Sequence, residues 1–210
     1  MKKLLGGLLL LALVALGVAA TNQANVKTPT VAAYNTTGQQ SPDQSNQQHS
    51  ILGHPSLSAA RIDQILAAYH SPATGLGRYI YDRGLHYGID PVHVLAIFLH
   101  ESQVGTAGEA RKTMSPGNER CIADRPCVDQ SLGGYAQMQS WADGFEHLYS
   151  LLFYGYIKGQ VTIPLVGHVC TTIEQIVPVF APSSDGNDVQ VYINAWIRVV
   201  DGWRAGRVWI

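Results

Sequence analysis

Asp90-Pro91-Val92-His93-Val94-Leu95-Ala96-Ile97-Phe98-Leu99-His100-Glu101-Ser102 decides the fold class. Asp90 is a good N-cap, and Pro91 suits the first helical turn, where its missing N–H costs nothing. Val92, Val94, Leu95, Ile97, Phe98 and Leu99 then cover most of the helix circumference. A helix that is apolar nearly all round is buried. It ends abruptly in the polar residues His100, Glu101, Ser102 and Gln103, and Gly105 and Gly108 loosen the chain beyond.

Outward from this helix the pattern stays helical. Ile62, Ile65, Leu66 and Tyr69 make one stripe of a helix that opens at Ser58. A second helix is predicted from Gly77 to Tyr87, stopped at Gly88. Ser140-Trp141-Ala142-Asp143 is a capping-box pattern and starts a helix running to about Tyr156. Thr171-Thr172-Ile173-Glu174 reads as a second capping box, opening a short helix that ends near Pro178. The last helix starts after Asp188, with Val189, Tyr192, Ile193, Trp196, Val200 and Trp203 as its apolar stripe. Residues 105 to 139 are rich in Gly, Pro and polar groups, and read as a small irregular or β-hairpin lobe between helices. The expected fold class is therefore mainly α, with one non-helical lobe.

The 210 residues allow one domain with room for tails. Residues 1–20 read as an export signal. Lys2 and Lys3 precede an apolar run from Leu4 to Val18, and Ala19 and Ala20 supply small residues for cleavage. The run falls short of the roughly 20 residues that span a bilayer, and an uncleaved N-terminal anchor is the alternative. Residues 21–55 are polar, rich in Thr, Asn, Gln and Ser, and read as a flexible linker. The domain is expected over 56–210. The formal net charge is −1 and charged residues are 14%, which gives no field suited to nucleic acid. Membrane contact is expected only through the N-terminal segment, and the chain is read as an exported monomer.

Three cysteines bear on an exported chain. Cys121 and Cys127 enclose the short segment Ile122-Ala123-Asp124-Arg125-Pro126 and are expected to clamp it as a disulfide. Cys170 is left over and is expected to be buried. It precedes a helix, where a thiol could be activated, with His147 or His168 as base. No orienting pattern supports that arrangement. No CxxC pair or tight Cys/His cluster indicates a metal, and no cofactor motif is present. His93 and His100 lie two turns apart on one helix and read as core or surface fillers.

Most carboxylates have a mundane role. Asp90, Asp143, Glu174 and Asp188 stand at helix starts, and Asp63 and Asp82 lie on polar helix faces. Glu101 differs. It is held at the C-terminal end of a rigid core helix, where the helix dipole and apolar neighbours oppose its ionisation. A carboxylic acid of this kind suits acid-catalysed cleavage of a glycosidic bond.

These residues resemble a known family. Tyr87-Gly88-Ile89-Asp90-Pro91, then Phe98-Leu99-His100-Glu101-Ser102 and Gly105-Thr106, look like the catalytic-helix region of bacterial glucosaminidase domains. These are the endo-β-N-acetylglucosaminidase-like members of the lysozyme superfamily. Ser115-Pro116-Gly117-Asn118-Glu119-Arg120-Cys121 resembles the Asn-containing loop that follows that helix. Ser140-Trp141-Ala142-Asp143-Gly144-Phe145 resembles the start of the next one. Phe180-Ala181-Pro182-Ser183-Ser184-Asp185-Gly186-Asn187-Asp188, with Tyr192 downstream, resembles the segment near the family's site.

The resemblance implies a lysozyme-like fold and hydrolysis of β-1,4 bonds at N-acetylglucosamine in peptidoglycan, without a cofactor. Glu101 is then the general acid, and Asn118, Tyr135, Asp185 and Tyr192 contact the glycan strand. Two stretches depart from the pattern. Tyr135-Ala136-Gln137-Met138-Gln139 lacks the usual Arg and second aromatic, and Phe180 stands where Tyr is often seen. A second carboxylate could come from Glu119, Asp124 or Asp129. Without one, a substrate-assisted route or a lytic transglycosylase route remains open. Gly134-Tyr135-Ala136-Gln137-Met138-Gln139 resembles the Gly-Leu-Met-Gln motif of transglycosylases. Muramidase action and an inactive wall-binding domain also remain open.

Overall fold

The computed structural model describes residues 49–159 and 169–210. The signal at 1–20, the linker up to residue 48 and His168 lie outside the described residues. Among the described residues the fold is mainly α, with one small antiparallel sheet. Seven helices are described: α1 (Ala59–Ala68), α2 (Gly77–Tyr87), α3 (Pro91–Ser102), α4 (Ala110–Thr113), α5 (Trp141–Ser150), α6 (Ile173–Phe180) and α7 (Val189–Arg204). α5 continues as a π-helical stretch over Leu151–Ile157. No helix among the described residues is long and apolar enough to cross a membrane.

Local side-chain caps set most helix starts. The side chains of Ser58, Asp90, Ser140 and Asp188 accept hydrogen bonds from the backbone N–H of Arg61, Val92, Asp143 and Val191. Each satisfies a donor that the first helical turn leaves orphaned. α6 corrects the sequence reading by one residue. Its N-cap is Thr172, not Thr171, and Gln175 rather than Glu174 reaches back, its Oε1 accepting from the N–H of Thr171 at 2.9 Å and of Thr172 at 3.2 Å. This frame turns Ile173, Ile176 and Val177 inward. Glu174 is thereby freed to pair with His49. The helix also runs through Pro178 to Phe180.

α3 lies at the centre, with Pro91 to Phe98 buried. α7 packs along it, α6 packs on α7, and α2 bridges α1 and α5. Phe98 joins α3 to α5 through Trp141 and Phe145, each with its ring centroid 5.2 Å away. His93 is a core residue. Trp196 Nε1 donates to its Nδ1 at 3.2 Å, and burial holds its imidazole neutral, well below the usual histidine range.

The linker boundary at residue 55 is also corrected. Ile51 is fully buried. Its N–H donates to the Thr171 carbonyl at 2.9 Å, its carbonyl accepts from Asp90 N–H at 3.0 Å, and Gly53 N–H donates to the Gly88 carbonyl at 3.1 Å. Residues 49–55 are thus a strap laced to the starts of α3 and α6.

The lobe between α3 and α5 holds the sheet, β1 (Cys127–Val128) against β2 (Tyr135–Ala136), with Cys127 opposite Ala136 and Val128 opposite Tyr135. Cys121 and Cys127 form a disulfide, their Cα atoms 5.1 Å apart. Cys170 is fully buried. The lobe meets α5 at Gly144, where an added Cβ would strike the Met114 carbonyl oxygen and Pro116 Cδ. Backbone oxygen cannot turn aside as a flexible side chain can. Gly144→Ala is therefore expected to cost about 2 kcal/mol or more by urea unfolding, despite the better helix propensity of Ala. Unchanged stability would show that the lobe gives way freely there.

Candidate active site

Glu101 sits half-buried in the last turn of α3. The turn beyond it is tight. Gln103 and Val104 both take left-handed backbone, with φ of 50° and 52°. Val104 is a β-branched residue in a conformation that costs it strain, and it is fully buried. The Ser71 hydroxyl donates to its carbonyl at 2.7 Å, and its own N–H donates to the Phe98 carbonyl at 3.1 Å. These bonds lock the turn and hold the end of α3 in place.

Two donors fix the carboxyl of Glu101. Tyr192 Oη donates to Oε1 at 2.8 Å. Asn118 Nδ2 donates to Oε2 at 3.2 Å and to the Glu101 backbone carbonyl at 3.1 Å. Asn118 reaches this position from left-handed backbone, φ 47°, which Asn tolerates better than most residues. It is thus both a turn residue and a ligand of the carboxyl. Its loop is pinned where Glu119 N–H donates to Ser115 Oγ at 3.0 Å.

Tyr192 comes from α7 and is only 4% exposed. Burial, reinforced by the charge of Glu101, pushes its hydroxyl well above the usual tyrosine range. It therefore stays protonated and remains a donor. Around it stand the rings of His100 at 3.7 Å and Phe180 at 6.5 Å. Tyr156 lies 6.5 Å from Phe180 and extends the aromatic wall. The result is one oriented carboxyl beside aromatic faces, a layout suited to proton transfer onto a polar ligand with apolar faces.

Among the described residues no hydrogen bond joins Tyr135 or Asp185 to this cluster. Tyr135 belongs to β2, with the Arg120 guanidinium 4.8 Å over its ring. Asp185 is exposed in a short 3-10 turn, Ser183–Asp185, and bonds its neighbour Ser184 at 3.4 Å.

Arg125 was not anticipated from the sequence as an organiser. It donates to Asp143 Oδ1 and Asp124 Oδ2, both at 2.9 Å, and lies 2.7 Å from His147 Nε2. His147 Nε2 is thereby engaged by Arg125. Asp129 pairs with Lys112 at 3.3 Å. Glu119 is the unusual carboxyl: its Oε1 is buried with no hydrogen-bond partner among the described residues, and burial pushes it up to about 7 against the pull of Arg125. A Glu directly after Asn, flanked by Pro116 and Gly117 and by Cys121, hints at a packed loop, but not at a buried acid. Among the described residues no group of three or more His, Cys, Asp or Glu is placed to hold a metal ion.

No protein-family model matches the chain, and no curated protein matches it in sequence.

Proposed function

We propose that the domain is an exported peptidoglycan hydrolase of lysozyme-like fold, cleaving β-1,4 bonds at N-acetylglucosamine with Glu101 as general acid. One observation carries this reading. Glu101, Asn118 and Tyr192 come from three separate elements, 17 and 91 residues apart in sequence, and meet at a single carboxyl. The resemblance to glucosaminidase domains named these three residues together with Tyr135 and Asp185, which stand outside the cluster.

In this reading the sugar lies against the aromatic wall, and Glu101 gives its proton to the glycosidic oxygen as the C1–O bond breaks. Asp124 and Asp129 are engaged with Arg125 and Lys112, and Glu119 Oε1 is sealed from solvent. This favours a route that needs no second carboxylate. The acetamido oxygen of the substrate attacks C1, and water then opens the cyclic intermediate while Glu101 takes up the water's proton. Glycosidases that use their substrate in this way are a recognised exception to the two-carboxylate rule.

Zymography on purified cell wall tests the reading. Clearing by the wild type and its loss in Glu101→Gln support it. Wall binding without clearing would replace it with a carbohydrate-binding role, and anhydro-sugar ends would point to transglycosylase chemistry. Tyr192→Phe removes one donor from the carboxyl and keeps the ring. Turnover is expected to fall roughly tenfold, the scale of one charge-assisted hydrogen bond, with a melting temperature close to wild type. Full turnover in this variant would show that the Tyr192 hydroxyl plays no part.

A further inference from the structure

A groove of about 290 Å³ runs between α3 and α7, directly behind the pair formed by His100 and Tyr192. Its floor is apolar, built from Leu99, Trp196 and Val199. Its rim carries His100, Gln103 and Arg198. The side chains of Arg198 and Gln103 make no ion pair or hydrogen bond among the described residues. Four other arginines, Arg78, Arg83, Arg125 and Arg204, are held in ion pairs, and Arg61 donates to Gln64 and to the Gly206 and Arg207 carbonyls. What sets Arg198 apart is its place: an uncommitted fork of donors at the mouth of an apolar groove.

The groove shares a wall with the candidate site. The His100 ring lines the groove and packs on Tyr192, whose hydroxyl bonds Glu101. Successive helix residues diverge by about 100°, so His100 and Glu101 face the two sides of that wall. A ligand spanning both would present a neutral sugar to Glu101 and a small anionic arm to Arg198. Guanidinium matches carboxylate with two parallel hydrogen bonds, and the floor accepts short apolar side chains.

We infer that this groove binds the carboxylate-bearing peptide arm that peptidoglycan carries on its lactyl ether. The inference rests on the hydrolase reading and adds a substrate preference to it: glycan bearing short acidic peptides over bare glycan.

The test uses the full chain carrying Glu101→Gln, so that nothing is cleaved during titration. Muramyl dipeptide, a lactyl-linked dipeptide with a free carboxylate, is titrated calorimetrically beside a neutral N-acetylglucosamine oligomer. Adding Arg198→Glu is expected to weaken muramyl dipeptide binding at least tenfold and to leave the neutral oligomer unchanged. Arg198→Lys should recover part of the loss, and because Arg198 is exposed the melting temperature should not move. Unchanged dipeptide binding in Arg198→Glu, or an equal loss for both ligands, overturns the inference. If the wild type clears cell wall and Arg198→Glu shows no such selectivity, the inference alone falls. If the wild type neither clears wall nor binds either ligand, the hydrolase reading falls and takes the inference with it.

Discussion

Glu101→Gln is expected to reduce turnover on cell wall by about three orders of magnitude, within the range general acid catalysis supplies. Gln has the shape of Glu, so its carbonyl oxygen can still accept from Tyr192 Oη, the 2.8 Å bond of the wild type. Its amide cannot release a proton. One local mismatch is introduced, since the new NH2 faces the Asn118 NH2 that now donates to Oε2. That should cost about 1 kcal/mol and move the melting temperature by a few degrees at most. The informative result is therefore a large loss of kcat beside a small loss of stability. Retention of more than a tenth of wild-type turnover would remove Glu101 from the chemistry.

The second large effect concerns pH and Glu119. Its folded carboxyl titrates at about 7, against 4.5 as its ordinary value, with burial as the main cause. The folded domain holds this proton more tightly than the unfolded chain. Its contribution to stability is thus fully present below about 4.5 and is lost as pH rises through about 7. The loss is on the order of 3 kcal/mol. His93 acts in the opposite sense: burial depresses it, so its contribution is present above the ordinary histidine value and is lost as pH falls. The wild-type stability curve mixes the two. The difference between wild type and Glu119→Gln isolates the part due to Glu119. The variant should match wild type near pH 4.5 and exceed it by about 3 kcal/mol at pH 8. Parallel denaturation curves across that range would show that Glu119 is not held as a buried acid. Asn118 precedes Glu119 in the chain, so the same titration loads the loop that positions the Glu101 carboxyl.

Much of the helical frame was legible because caps are local. Ser58, Asp90, Ser140 and Asp188 each bond an N–H two or three residues on, so sequence spacing contains the whole interaction. The α6 start was misplaced by one residue because Thr171 and Thr172 offer overlapping capping frames. Only the inward phase of Ile173, Ile176 and Val177 chooses between them. The strap at 49–55 was missed for another reason. Ile51 is a lone apolar residue in a polar tract, and its partners Asp90 and Thr171 are distant in sequence. At the site, Glu101 stood out because a charged residue ends an apolar helix. Asn118 and Tyr192 entered only through the family resemblance, since spacing alone gives a turn residue and a stripe residue. The Asp143 and His147 partners of Arg125 and the burial of Glu119 are facts that no local pattern encodes.

The strap also has a mechanical meaning. A pull arriving through residue 48 is met first at His49, whose carbonyl accepts from Ile173 N–H and whose ring pairs with Glu174, and then by the Ile51 bonds to Thr171 and Asp90. Those bonds tie it to the N-terminal end of α3, whereas Glu101 stands near the other end of a helix of 12 residues, about 18 Å long. Load is therefore shared between the roots of α3 and α6 and passed along a rigid rod as displacement of the whole body. The carboxyl, its two donors and the locked turn at Val104 travel together, and their mutual geometry is spared the strain.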